Sequence, residues 1–252
     1  MKTINQTLLA GAIAAVLAAP AFATNGTNMT GVGAQSVAMG GTGVAAYYGA
    51  ENVIVNPAMI GKGQGTEFAF GGTLFKPNVS NDGLGGSVAG SASRSATSDG
   101  DTYMIPAISL SSRINNNLSF GLGMYGTSGM GVDYNGATGS SGSLGKAQTS
   151  LQIMRIAPTI AYNTSNMGIG ASAIVQYGAL DINYDFTPGP QKAGSGMASD
   201  LGMGFSLGGY YDLAKHFTVA AAYTSAIDMK YKDQLTGADA GFGSPLGLTS
   251  NN

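Results

Sequence analysis

Large apolar residues alternate with small or polar residues along most of this chain, and this period of two limits the possible folds more than any other feature. In residues 118–125, for example, Leu, Phe, Leu and Met alternate with Ser, Gly, Gly and Tyr. The strands predicted in this way are residues 66–75, 103–112, 118–125, 150–162, 167–180, 202–211 and 217–231. None of these segments shows helical periodicity, so the pattern predicts an all-β fold.

The second face of these strands consists mostly of Gly, Ser, Ala and Thr. A soluble β-sandwich carries charge on its outward face, yet charged residues make up only 10% of the 252 residues. A barrel in lipid turns its bulky residues outward and keeps small or polar residues inside. We therefore expect a transmembrane antiparallel β-barrel, with a soluble sandwich as the alternative.

The segments between the predicted strands alternate between long and short. The long ones are residues 76–102, 126–149 and 181–201, and the short ones are residues 113–117, 163–166 and 212–216. Outer-membrane barrels have short periplasmic turns and long external loops, so this alternation places the start of the barrel in the periplasm. Tyrosines near the predicted strand ends, Tyr125 and Tyr210 among them, fit the membrane interface.

The first residues have the features of a secretory signal peptide. Lys2 precedes an apolar run over residues 8–19, and Ala21-Phe22-Ala23 supplies a small-x-small cleavage site. A buried helix is the alternative for such a run. We assign residues 1–23 to the signal peptide, which directs the chain out of the cytoplasm.

Residues 24–62 lack sustained alternation and carry only two charged side chains, Glu51 and Lys62. A compact segment of low charge that precedes barrel strands suits the barrel interior, where it acts as a plug. A disordered periplasmic leader is the alternative, although the clusters at residues 47–48 and 53–55 disfavour it. The expected division is a signal peptide (residues 1–23), a plug or hatch (24–62) and a partial barrel of about seven strands (63–252).

Groups for catalysis, nucleic-acid binding or cofactor binding are scarce. The net charge is −2 without a basic run, which excludes a phosphate backbone as partner. The chain has no cysteine, and its one histidine, His216, allows neither a triad nor a multi-histidine metal site. Residues 121–126 match the pattern GxGxxG, but no helix follows to bind phosphate. We expect no enzymatic activity, no cofactor and no metal.

The plug segment carries a recognisable succession of motifs. Gly31-Val32-Gly33 is followed by spaced glycines at residues 40–43 and by Asn56-Pro57-Ala58 shortly before the first strand. This order resembles the N-terminal hatch of the FadL/TodX family of outer-membrane transporters for long-chain fatty acids and hydrocarbons. Later stretches are also similar, notably residues 118–134 and 201–231, and the resemblance covers nearly all of the chain after the signal peptide.

The chain departs from the family pattern in two ways. Members of the family are similar over a fourteen-stranded barrel, whereas this chain supplies about half of those strands. It also ends in a polar stretch, residues 246–252, rather than on a closing strand with a terminal aromatic residue. Unpaired strand edges are costly in lipid, so we expect a fragment of a larger barrel. Closure by two copies or by a partner chain is the alternative.

The resemblance also assigns roles to particular residues. Asn56, Pro57 and Ala58 would fix the geometry of the hatch, or else form an ordinary turn. The third strand of the family kinks inward and opens a lateral gap to the lipid. The residues expected to form this kink, or alternatively a plain extracellular turn, are Gly126, Thr127, Ser128, Gly129 and Gly131. The inward apolar residues expected to touch ligand, or to pack on the hatch, are Ile153, Ile174 and Leu180.

The sequence therefore predicts a passive transporter in the outer membrane of a Gram-negative bacterium. Its partners would be a hydrophobic small molecule and outer-membrane lipids, and the complete barrel would be a monomer. The rival hypothesis is a structural barrel or surface adhesin that transports nothing. A secreted enzyme is a third possibility, which the missing catalytic groups disfavour.

Overall fold

A computed structural model describes residues 28–84, 94–135, 144–186, 191–193 and 196–232. The predicted signal peptide lies outside the described residues, as does the predicted polar end of the chain at residues 246–252. Among the described residues, no helix is both long enough and apolar enough to cross a bilayer.

Residues 28–62, named the N-terminal segment below, fold into short helices. These are α1 (Ala34–Ala38), a first 3-10 helix (Gly49–Glu51), α2 (Asn52–Val55) and a second 3-10 helix (Pro57–Lys62). Gly33, Gly41 and Gly49 have positive φ angles, which only glycine adopts without steric cost. The closely spaced glycines therefore turn the chain before any helix becomes long.

The rest of the described chain consists of strands and their connections. The strands are β1 (Thr66–Phe75), β2 (Ser80–Leu84), β3 (Arg94–Thr97), β4 (Tyr103–Arg113), β5 (Leu118–Asp133), β6 (Leu144–Asn163), β7 (Met167–Phe186), β8 (Gln191–Ala193), β9 (Ala198–Ala214) and β10 (Phe217–Thr224). Eight of them form one antiparallel sheet, in which seven follow the order β1-β4-β5-β6-β7-β9-β10. Strand β8 pairs with β7, and β2 pairs with β3 in a separate hairpin. The main strands correspond to the seven predicted from alternation.

The two faces of the main sheet differ as the alternation predicts. On the outer face, large apolar side chains are exposed, for example Phe70 at 77%, Met104 at 80% and Met203 at 81%. On the inner face, small polar side chains such as Ser111 and Ser119 are buried under the N-terminal segment. An apolar surface of this extent calls for a nonaqueous environment, so the arrangement favours the barrel over the soluble sandwich.

Several strands differ from their predicted lengths. β6 and β7 each span 20 residues, because their ladder continues through residues 144–149 and 181–186, which the prediction placed in the long connections. β5 continues to Asp133. β10 is shorter than predicted and ends at Thr224, after which residues 225–231 leave the strand. Strands pair through their backbones, so a ladder extends or stops without regard to the side-chain pattern. The ends of β5, β6, β7 and β10 therefore differ from those predicted from alternation.

Candidate functional site

The second half of the N-terminal segment is buried against the inner face of the sheet. Val53 and Ile60 pack in one cluster with Tyr125 and Ile174, and Met59 packs in a second cluster that includes Tyr210. Tyr125 and Tyr210 are thus buried rather than at a membrane interface, contrary to the prediction. The described residues of the segment are packed, which speaks against a disordered leader.

Asn56 is fully buried and holds the middle of the N-terminal segment together. Its amide nitrogen Nδ2 donates to the carbonyl of Val44 at 2.7 Å and to that of Gly209 at 3.4 Å. Its carbonyl Oδ1 accepts from the backbone nitrogen of Ala58 at 3.1 Å and so caps the second 3-10 helix, with Pro57 in the first turn. The amide therefore connects two parts of the segment and also reaches β9.

Two glycines of the sheet receive the Asn56-Pro57-Ala58 turn. A Cβ atom on Gly170 would lie 2.5 Å from the nitrogen of Ala58, and one on Gly208 would lie 2.9 Å from the Cδ atom of Pro57. Both distances are too short for any side chain, so the turn rests on bare backbone of β7 and β9. In the sequence these two glycines look like the other small residues of the inner face, so alternation alone does not identify them.

Polar contacts anchor the end of the segment near the short turns. Lys62 forms an ion pair with Asp212 at 2.7 Å, and its ammonium group lies 4.4 Å from the centre of the Tyr210 ring. Arg113 donates from Nη2 to the carbonyl of Gly61 at 2.6 Å. These contacts tie the second 3-10 helix to the ends of β4 and β9.

A further polar contact joins the N-terminal segment to β1. The hydroxyl of Tyr47 donates to Oε1 of Glu67 at 2.5 Å. Burial, and then this hydrogen bond, raise the pKa of Tyr47 above its ordinary value. The hydroxyl therefore stays protonated and serves as a donor near neutral pH.

A β-bulge interrupts β5 within the predicted kink. Gly126 opposes Met154 of β6 and Ser128 opposes Ile153, so Thr127 has no ladder partner on β6. An extra residue of this kind bends a strand and redirects its side chains. The ladder resumes with Ser128 and continues to Asp133, so these residues lie inside a strand and the alternative of a plain turn is wrong.

The pairing between β4 and β5 ends beside this bulge. The two strands pair from Arg113 with Ser119 to Ala107 with Tyr125, although β4 begins at Tyr103 and β5 runs to Asp133. The next pair in this register would join Pro106 to Gly126. Proline has no N–H to donate, and glycine weakens a strand. The described ladder therefore leaves the remaining parts of these two strands unpaired with each other.

The first part of the N-terminal segment, residues 28–44, is named the tip, and its start occupies the edge of β5 that β4 leaves free. The nitrogen of Met29 donates to the carbonyl of Thr127 at 2.9 Å. Asn28 forms an isolated antiparallel bridge with Ser128, and the Ser128 hydroxyl donates to Oδ1 of Asn28. Because Ser128 pairs with Ile153 of β6 along one edge, Asn28 lies along the other.

A cavity of about 360 Å³ lies between the N-terminal segment and the inner face. Its lining residues are Asn28, Met29, Val32, Val53, Ile54, Tyr125, Thr127, Arg155, Ser172, Ile174, Ser206, Thr224 and Ser225. Of these described residues, Arg155 alone is charged, and it donates from Nε to Oε1 of Gln176 at 2.8 Å. The cavity thus combines an apolar wall with hydroxyl groups and one cation.

The predicted ligand contacts do not all reach this cavity. Ile174 lines it and also packs with Val53 and Ile60, whereas Ile153 and Leu180 are not among its lining residues. Both lie farther along their strands, toward the long connections. Alternation predicts which face a side chain is on but not how far along the strand it lies, so it could not exclude these two residues. Arg155 was missed, although a cation on the small-residue face of a strand is a signal that could have identified it.

Neither a metal site nor a nucleotide-binding site is present among the described residues. No three His, Cys, Asp or Glu side chains of these residues are grouped so that they could hold a metal ion. Residues 121–126, which match GxGxxG, lie inside β5, so no helix N-terminus follows them.

The sequence model of the outer membrane protein transport protein family (OMPP1/FadL/TodX) matches residues 10–251. The chain belongs to this family, and its location is the outer membrane of a Gram-negative bacterium. The predicted resemblance and barrel class are thereby confirmed.

Solved structures with the same fold include three transport-family proteins. The toluene transporter TodX of P. putida superposes with a TM-score of 0.63 at 21% identity, covering 79% of this chain and 56% of that one. The toluene transporter TbuX of Ralstonia pickettii gives 0.62 at 21%, covering 79% and 58%. A Pseudomonas aeruginosa FadL homologue gives 0.51 at 16%, covering 73% and 49%. The chain therefore spans about half the length of these relatives.

A sequence relative comes from Chlorobium limicola. It is 49% identical over 70 residues, which cover 27% of this chain and 34% of the relative. Its description, an uncharacterized protein in the 5′ region of the phosphoenolpyruvate carboxykinase gene, assigns no activity.

Proposed function

We propose that this protein takes part in passive uptake of a hydrophobic small molecule across the outer membrane. The ligand would reach the cavity from the end with long connections and leave sideways, between β4 and β5, into the bilayer. The N-terminal segment would serve as the hatch, with Asn56, Pro57 and Ala58 fixing its seat. No catalytic step is involved, and a downhill gradient would suffice to drive transport.

One observation carries this proposal. The parts of β4 and β5 that are not paired with each other, named the seam (residues 103–106 and 126–133), meet the tip and the cavity at the same residues. Thr127 forms the bulge and lines the cavity, while Asn28 and Met29 pair with β5 and also line the cavity. Withdrawal of the tip would therefore join the cavity to the seam. Each hydrogen bond lost contributes only about 1 kcal/mol net, so this release would not require unfolding of the segment.

The size of the cavity and the apolar part of its lining suit a small hydrophobic ligand. Met29, Val32, Ile54 and Ile174 supply an apolar wall, and each methylene buried there gains about 0.8 kcal/mol. Cavities of about 150 Å³ are large enough to hold benzene. The 360 Å³ present here would hold a single-ring hydrocarbon or part of a longer chain.

Arg155 separates the two substrate classes under consideration. A fatty acid would place its carboxylate against this guanidinium, whereas a neutral hydrocarbon has no group to pair with it. Replacing Arg155 with Gln should therefore reduce uptake of a fatty acid by about tenfold or more and leave toluene uptake unchanged. If the substitution changed the uptake of oleate and of toluene equally, Arg155 would not determine which substrate is transported.

A reversible cross-link tests the lateral route, because the chain contains no cysteine of its own. Asn28→Cys and Ser128→Cys, at the positions of the antiparallel bridge, would form a disulfide that holds the tip on β5. We expect the oxidised variant to lose hydrocarbon uptake and the reduced variant to regain it. Uptake is measured in cells that lack other hydrocarbon transporters.

The control places the same bond within the intact ladder between β6 and β7. Ile160→Cys and Ala171→Cys, which face each other there, should cross-link without changing uptake. Unchanged uptake with the tip locked would contradict the lateral route. If deleting residues 28–44 also left uptake unchanged, the rival hypothesis of a structural barrel or adhesin would prevail.

A further inference from the structure

The chain turns onto the inner face of the sheet where β10 ends. The nitrogen of Ser225 donates to the carbonyl of Phe205 at 2.9 Å, and its Oγ accepts from the nitrogen of Phe205 at 3.0 Å. Beyond this last contact with the edge of β9, residues 225–231, named the inner segment, leave the sheet. Ile227 packs against the hydrophobic cluster that contains Val53.

Three glycines on the inner face receive the inner segment. A Cβ atom on Gly204 would lie 2.6 Å from Cγ1 of Ile227, and one on Gly202 would lie 2.5 Å from its Cγ2 and 3.0 Å from the carbonyl oxygen of Asp228. A Cβ atom on Gly178 would collide with Met229 and with the hydroxyl of Tyr231. Side chains at these positions would displace the inner segment, so bare backbone is what permits this seat.

A third hydrogen bond fixes the far end of the inner segment. Oδ2 of Asp200 accepts from the backbone nitrogen of Lys230 at 2.7 Å. Both ends are thus tied to β9, by Ser225 and by Lys230, while Ile227 and Met229 lie between them against the sheet.

The position of this segment relates it to the cavity. Ser206 and Ser172 are paired across β9 and β7, and both line the cavity. The glycines lie on the following inner-face pairs of the same ladder, toward the long connections, where Gly204 pairs with Ile174 and Gly202 with Gln176. Ser225 itself lines the cavity. The inner segment therefore begins at a lining residue of the cavity and runs from there toward the long connections, and Ile227 and Met229 lie beside the cavity rather than among its lining residues.

We infer that residues 225–231 form a second wall of the ligand path, and that Ile227 is a specificity-determining residue that limits which ligands reach the cavity. This inference rests on the proposed transport function. It also differs from the prediction made from alternation. In that prediction Ile227 lies on the same outer face as Phe217 and Tyr223 and faces lipid.

Cysteine pairs distinguish the two positions of Ile227 in the native outer membrane. Gly204→Cys with Ile227→Cys should form a disulfide, because Ile227 lies over Gly204. Met203→Cys with Ile227→Cys should not, since Met203 would face Ile227 only if the register of β10 and β9 continued. Formation of the second disulfide, or of neither, would overturn the inner position.

Transport then tests the role of the side chain. Ile227→Ala should raise the uptake ratio of naphthalene to toluene by about tenfold, the discrimination expected when the wall of a ligand path loses several carbons. The matched control is Ile169→Ala, a change on the outer face where the side chain is 59% exposed, and it should leave the ratio unchanged.

The two readouts separate the inference from the proposed function. An unchanged ratio in a protein whose Gly204–Ile227 cysteines cross-link would overturn the role in specificity. If the unaltered protein took up neither hydrocarbon, both the proposed function and the role of Ile227 in specificity would be wrong. The disulfide would still show where residues 225–231 lie.

Discussion

The two parts of the N-terminal segment are attached to the sheet by different means. In residues 52–62, the side chains of Val53, Met59 and Ile60 are no more than 1% exposed, and an ion pair adds to their burial. In the tip, Val37 is 43% and Met39 is 60% exposed. Packing therefore holds residues 52–62, whereas the tip is held by a few hydrogen bonds and by Val32, which packs against the cluster of Val53 while Val37 and Met39 are exposed.

This difference indicates which part of the segment is able to move. Burying an apolar side chain of this size contributes about 2 kcal/mol, so displacing residues 52–62 would expose several such side chains together. The tip meets β5 through the bridge of Asn28 with Ser128 and the hydrogen bond from Met29. Local opening begins where few apolar contacts are lost. The tip is therefore the part we expect to release, and three substitutions test this contrast.

The largest effect on stability is expected where residues 52–62 lie against the bare backbone of β7. Gly170→Val would place Cβ 2.5 Å from the nitrogen of Ala58, so the turn or β7 must shift. We expect a loss of about 3 kcal/mol in the free energy of unfolding, measured by denaturant titration in micelles. The control is Gly71→Val in β1, where no atom lies within 4 Å of the added Cβ. Equal losses in both variants would contradict a special role for Gly170.

A smaller loss is expected from Asn56→Ala, which removes the bond to Val44 and leaves the nitrogen of Ala58 without its acceptor. Buried groups left unpaired cost about 2 kcal/mol in unfolding free energy. Asn115→Ala is the matched control, because Oδ1 of Asn115 also accepts from two backbone nitrogens, but in an exposed turn where water replaces it. If both variants lost the same free energy, burial of Asn56 would not matter.

The strands and the two faces of the sheet could be predicted from the sequence, because both follow from local periodicity. The alternation at residues 118–125 identifies the exposed and buried sides of β5 correctly. The glycines at 126–131 also indicated an irregular strand, but not that Thr127 would be the extra residue. That choice depends on how β6 pairs with β5, which lies outside the local pattern.

Contacts between distant residues could not be predicted in this way. Gly170 and Gly208 look like any other small inner-face residues until the Asn56 turn is placed against them. The alternation of residues 217–231 is equally compatible with a continuous strand and with a chain that leaves the sheet after Thr224, since a segment lying flat on a surface also alternates. Cavity depth, which excluded Ile153 and Leu180, likewise depends on the assembled sheet.

The smallest change concerns the tip itself. Ser128→Ala removes one hydroxyl bond to Asn28, which should cost about 1 kcal/mol and raise the open fraction of the tip about fivefold. The readout is the rate at which a maleimide labels Met29→Cys, introduced as a single cysteine. Ser112→Ala, which removes an exposed hydroxyl contact with Thr66, is the matched control and should leave the rate unchanged. Equal labelling rates in the two variants would mean that β5 does not hold the tip, and the contrast between the two parts of the segment would lose its connection to the seam.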